Sequence, residues 1–100
     1  MSVYLVIDLT IHDTETYAEY VTKVQSIVEA HGGRYLARGG EVTTLSGEWK
    51  PERLVIVEFP SENDLRGWLA SDDYRALAPL REGTTTARAV FIEGVNETTA

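Results

Sequence analysis

The stretch His31-Gly-Gly-Arg-Tyr-Leu-Ala-Arg-Gly-Gly40, followed by Gly47-Glu-Trp-Lys-Pro-Glu-Arg53 and Leu54-Val-Ile-Val-Glu-Phe59, decides the fold. Upstream of it, Tyr17, Tyr20, Val21, Val24, Ile27, Val28 and His31 recur at helical spacing. Gly32-Gly33 ends that helix, because glycine enters the left-handed conformation at little cost. Strand is predicted from Arg34 to Ser46, interrupted at Gly39-Gly40, where paired glycines suggest a bulge or a close backbone approach. Pro51 suits the connecting turn, since its φ is preset and its missing N–H is harmless there. The strand Arg53 to Phe59 is the most apolar, and Pro60 ends it.

Working outward, Val3, Leu5, Ile7, Leu9 and Ile11 alternate as a first strand. Asp13 or Thr14 can cap the first helix, with Glu15 favourably placed in its first turn. Ser61 caps a second helix, with Asp64 three residues on and Leu65, Trp68 and Leu69 as its apolar face. Ser71 caps a further short helix, which Pro79 is expected to stop. Leu80 to Thr86 reads as a loop and Ala87 to Glu93 as a fourth strand. The β-α-β-β-α-β order is that of a ferredoxin-like α+β domain over residues 1–95, with a polar tail at 96–100 and both helices on one face of an antiparallel sheet.

The opposite face of the sheet should be polar if it meets water. Instead Tyr4, Val6, Leu54, Ile56, Val90 and Ile92 fall there beside Asp8 and Glu58. Both faces are therefore expected to be covered. The simplest second cover is another copy of the sheet in a symmetric homodimer.

Composition narrows the function. The 100 residues suit one domain, and 43% are hydrophobic, which is globular rather than disordered composition. Nine basic against sixteen acidic side chains give a net charge of −7, which repels nucleic-acid backbones. Without cysteine there is no disulfide, thiolate nucleophile or Cys-ligated zinc, which fits a reducing, cytoplasmic setting. Met1 to Asp8 lacks a basic leader and is expected to be strand rather than signal peptide. No segment has the run of about 20 apolar residues that a membrane helix needs. Asn96-Glu97-Thr98 matches a glycosylation sequon and is taken as a chance match.

The segment His31 to Gly40, Trp49-Lys-Pro-Glu-Arg53, Val57-Glu-Phe-Pro-Ser61, Trp68, Ser71-Asp-Asp-Tyr74 and Arg81 together closely resemble the domain-of-unknown-function 1330 family. The resemblance runs from the first strand to about Gly94. It implies the dimeric α/β-barrel superfamily, in which two ferredoxin-like sheets close face to face, in agreement with the strand patterning. Relatives in that superfamily include cofactor-independent monooxygenases, muconolactone isomerases and haem-degrading or haem-dependent enzymes. The family itself has no assigned reaction, so fold is implied more firmly than function.

Candidate site residues follow from chemistry. Hairpin pairing would set Glu58 near Gly40 or Glu41 with Arg38 as its diagonal neighbour. Arg38 can then hold a ligand carboxylate and Glu58 act as a general base, or the two form a structural ion pair. Asp8 either lines the same cavity or sits at a wet rim. His31 either offers acid–base chemistry or supports the helix C-terminus as a cation. Tyr20, Trp68 and Tyr74 are pocket candidates or core, and Trp49 is a dimer anchor or a lid. Ser71 is a cap first and a ligand contact second. Arg81 can share an anion site with Arg38. Two separated histidines, His12 and His31, give no metal-ligand spacing, so neither a metal nor another cofactor is expected.

Two functions fit. One is a cavity binding a small, partly apolar, anionic molecule, with cofactor-independent isomerisation or proton transfer by Glu58 or His31. The other is a non-catalytic ligand-binding or structural homodimer, which a cavity well below about 300 Å³ would favour.

Overall fold

The computed structural model describes residues 1–95; the expected tail, with its sequon, lies outside them. Strand β1 (Val3–Ile11) leads into helix α1 (Thr14–Ala30), then β2 (Arg34–Ala37), β3 (Arg53–Phe59), α2 (Glu62–Ala70), α3 (Asp72–Arg75), α4 (Ala78–Arg81) and β4 (Thr85–Glu93). The four strands form one sheet in the order β2-β3-β1-β4, antiparallel throughout. This is the ferredoxin-like α+β arrangement. Among the described residues, no helix is long and apolar enough to cross a membrane.

Local signals set the helix ends. Asp13 caps α1, accepting from the Thr16 N–H at 3.1 Å. At the other end Gly32, at φ +82°, donates to the Glu29 carbonyl at 3.0 Å, and Gly33 donates to Val28 at 2.9 Å. Those two bonds satisfy the last carbonyls of the helix in the Schellman pattern. Gly33 is needed for a second reason: a Cβ there would lie 2.5 Å from Val28 Cγ1 and 2.8 Å from the Phe59 ring. Ser61 and Ser71 cap α2 and α3, as expected.

Strand β3 alternates as its sequence requires. Val55, Val57 and Phe59 are buried against the helices together with Val3, Leu5 and Leu9 of β1 and with Val24, Val28, Leu65 and Trp68. Cross-strand partners share a face. The pairs Tyr4↔Glu58, Val6↔Ile56 and Asp8↔Leu54 in β1–β3, with Val6↔Val90 and Tyr4↔Ile92 in β1–β4, therefore line the helix-free face. Val90 and Ile92 are 67% and 64% exposed there. The double-sided apolar pattern is a property of the fold, and Trp49, from the irregular chain between β2 and β3, borders a hollow on that side.

Three expectations are corrected. The second strand stops at Ala37 instead of running to Ser46, and the register irregularity falls between Tyr35 and Ala37 rather than at Gly39-Gly40. The chain from 38 to 52 is irregular. Pro79 lies in the first turn of α4 and so begins a helical turn rather than ending one, because its missing N–H is unneeded there. Finally, β4 starts two residues earlier than expected, at Thr85.

Candidate functional site

A cavity of about 240 Å³ lies between the sheet and the helices. Leu5, Ile7, Leu9, Val55 and Val57 form its floor, and Tyr17, Tyr20, Val21 and Val24 of α1 form one wall. Tyr35, Arg38, Trp68, Tyr74, Arg81 and Thr85 supply the remaining polar atoms. The predicted candidates Tyr20, Arg38, Trp68, Tyr74 and Arg81 thus come together, from five different parts of the chain.

The two arginines are held alike. The Arg38 guanidinium stacks 4.3 Å from the Tyr35 ring centroid and donates through Nη2 to Gln25 Oε1 at 2.9 Å. The Arg81 guanidinium stacks 4.7 Å from the Tyr74 centroid. Cation–π contact of this kind orients a guanidinium while leaving its edge free. In both, Nη1 is buried and finds no hydrogen-bond partner among the described residues, and the same holds for Trp68 Nε1. A buried donor left unmade costs about 1–3 kcal/mol, more when charged. All three donors belong to residues that line this one cavity.

The phenols cannot supply a base. Burial raises Tyr20 well above the ordinary phenol range, Tyr74 adding to the rise and Arg81 opposing it. Burial likewise raises Tyr17 against the charges of Arg53 and Arg38, and Tyr35 against Arg38. All three stay protonated near neutral pH. None of the described residues that line the cavity is an acid, a histidine or a lysine.

The remaining candidates stand elsewhere. Glu58 lies on the helix-free face, where Arg34 Nη2 approaches Oε1 at 2.7 Å and the Tyr4 hydroxyl donates to Oε2 at 2.9 Å. The expected Arg38–Glu58 pairing is not formed: the register sets Arg34 opposite Glu58, and Arg38 lies past the end of β2 on the helix side. His31 donates from Nδ1 to the Ile27 carbonyl at 2.9 Å, closing the end of α1. Ser71 Oγ accepts from the Tyr74 N–H and donates to the Trp68 carbonyl at 2.8 Å, so it positions two cavity residues without lining the cavity. Tyr17 and Tyr35, not singled out as site residues, do line it. Tyr17 heads the apolar stripe of α1, and Tyr35 alternates inward on β2.

Asp8 and Trp49 meet in a separate hollow of about 330 Å³ on the helix-free face, bounded also by Val6, Arg88 and Val90. Trp49 Nε1 donates to Asp8 Oδ2 at 2.8 Å, and Arg88 Nε reaches the same oxygen at 3.0 Å. The indole N–H, with Arg88 beside it, holds the Asp8 carboxyl below its ordinary value of 3.8 against the opposing effect of burial. A depressed carboxyl stabilises the fold above the unfolded-state value and loses that contribution as pH falls through the folded one. Thermal melts of the wild type and Asp8→Asn should therefore differ most at about pH 5–7 and draw progressively together as pH falls below about 4. A constant offset down to about pH 2 would mean that Asp8 acts through shape alone.

The model of the family described as Domain of unknown function (DUF1330) matches residues 2–95. The chain belongs to the DUF1330 family. No curated protein shows significant sequence similarity to it. Among solved structures, a protein of unknown function from Rhodopseudomonas palustris is 17% identical with a TM-score of 0.80, covering 95% of this chain and 83% of its own. SnoaB, a cofactor-independent oxygenase from Streptomyces nogalater, is 13% identical with a TM-score of 0.74, covering 95% and 94%. A dimeric ferredoxin-like protein of unknown function from Jannaschia sp. CCS1 is 9% identical with a TM-score of 0.76, covering 94% and 100%. At these identities the likeness of this DUF1330 chain to them is one of fold.

Proposed function

We propose that this DUF1330 protein is a homodimer whose helix–sheet cavity binds a small, partly apolar organic anion. One observation carries the reading: in a chain of net charge −7, two arginines enter an apolar cavity without a carboxylate partner among the described residues, each with a buried, unmatched Nη1. A cation desolvated in this way is costly unless an anion joins it. The aromatic walls favour a ligand with a flat apolar body. The cavity, at about 240 Å³, is near the lower end of ligand sites rather than far below it. Arg38→Gln should weaken binding of benzoate-type acids about tenfold to a hundredfold, read by titration calorimetry at fixed pH. Equal affinity in variant and wild type would remove Arg38 from the site.

The homodimer rests on the exposed apolar strand face and on the dimeric ferredoxin-like relative from Jannaschia. A cytoplasmic setting and indifference to nucleic acid go with the same reading, from the cysteine-free, acidic sequence.

A second reading is catalysis on the bound molecule without a cofactor, by analogy with the cofactor-independent oxygenase SnoaB. Proton transfer by Glu58 or His31 has less support, since neither lines the cavity.

A further inference from the structure

We infer that the ligand is a dianion with two separated acidic groups, one for each arginine. This rests on the reading of the cavity as an anion site and sharpens it. Arg38 follows β2, at one edge of the sheet, and Arg81 closes α4, shortly before β4 at the other edge. Arg38 continues past Ala37, which pairs with Ile56 opposite Val6 in mid-sheet, while Arg81 precedes Thr85, which pairs with Ile11 at the close of β1. The two interior strands, β3 and β1, separate them. Neighbouring strands lie about 4.8 Å apart, so the edge strands β2 and β4 that these residues flank lie about 14 Å apart across the sheet.

The side chains approach α1 from its two flanks. Arg38 is tied to Gln25 and stacked on Tyr35, whereas Arg81 is stacked on Tyr74 beside Tyr20. Each guanidinium thus has its own aromatic support, and neither shares a partner with the other. The described lining carries two positive charges and no negative one. A monoanion would leave the second, half-buried guanidinium without a charged partner, which a second acidic group supplies. The flat apolar space between them fits an aromatic ring or short hydrocarbon spacer.

Terephthalate and 4-acetylbenzoate test this directly, because they share shape and differ by one charge. Both are titrated at about pH 7.5 into the wild type, Arg38→Gln and Arg81→Gln, with circular dichroism confirming the fold. The expected result is that the wild type binds terephthalate about tenfold or more tightly than 4-acetylbenzoate, as one charge-assisted hydrogen bond warrants. Each variant should lose that preference. Isophthalate, with a different carboxylate spacing, ranks the separation. Equal wild-type affinities for the two acids would overturn the dianion inference and leave the anion site standing. A variant that weakened both acids by the same factor, and so kept the preference for terephthalate, would also overturn it, by showing one composite site. Failure of every acid to bind the wild type would reject the anion site itself. The wild-type comparison decides the matter even if a variant does not fold.

Discussion

Replacing Phe59 by alanine is expected to remove about 3–5 kcal/mol of stability. Phe59 is fully buried at the end of β3, opposite Val3. Its ring lies 5.5 Å from that of Trp68 and under Gly33, where α1 turns into β2. It therefore joins three elements, and no neighbour can collapse into the vacated space without moving the helix end. Domains of this size are stable by about 5–15 kcal/mol, so the loss is a large share of the total. Urea unfolding at fixed protein concentration should show a lower midpoint with an unchanged slope. Phe59→Leu, which keeps most of the volume, should cost much less. A loss below about 1 kcal/mol for the alanine variant would mean that this corner is loosely packed.

Val90→Asp is expected to convert the proposed homodimer into a folded monomer. Val90 stands 67% exposed in the single chain, beside Val6 and near Ile56 and Ile92 on the helix-free face. In a twofold interface each position counts twice. Full burial of one valine is worth about 1.5–3 kcal/mol, so two are worth about 3–6, or about two to four decades in the dissociation constant. The added carboxylate, desolvated without a partner, increases the loss. Sedimentation equilibrium across micromolar concentrations would read the change in mass. Because Val90 does not line the cavity, a folded monomer that still binds benzoate-type acids would also separate assembly from binding. A wild type already monomeric at micromolar concentration would remove the homodimer.

The elements most legible in the sequence are those fixed by near neighbours. Asp13, Ser61 and Ser71 cap helices because an oxygen two or three residues away from an orphan N–H is a local matter. Gly32-Gly33 is legible for the same reason. The alternation of β1 and β3 reveals two apolar faces without any knowledge of pairing. Register is harder to see. Arg38 and Glu58 read as neighbours only if β2 continues through Gly39, whereas the strand ends at Ala37 after an irregular step, so Arg34 meets Glu58 instead. With a period of two, such a slip exchanges faces. Pro79 is ambiguous because the same residue ends one helix or starts the next, and the choice depends on whether the residues after it continue the turn. Arg38, Arg81, Trp68, Tyr20 and Tyr74 are recognisable as site chemistry by type. The tyrosine supports of the arginines are not recognisable as such. Tyr35 and Arg38 belong to a bulged segment, and Tyr74 meets Arg81 only through the turn that Pro79 begins.

The two tryptophans lie on opposite sides of the sheet, Trp68 among the unmatched donors and Trp49 half-exposed over Asp8. Each therefore serves as a separate optical reporter. With Trp49→Phe the remaining emission is expected to track occupancy of the proposed anion site, and with Trp68→Phe to track contact with the twin sheet of the proposed homodimer. A single fluorimeter can follow the two events independently in the same sample series.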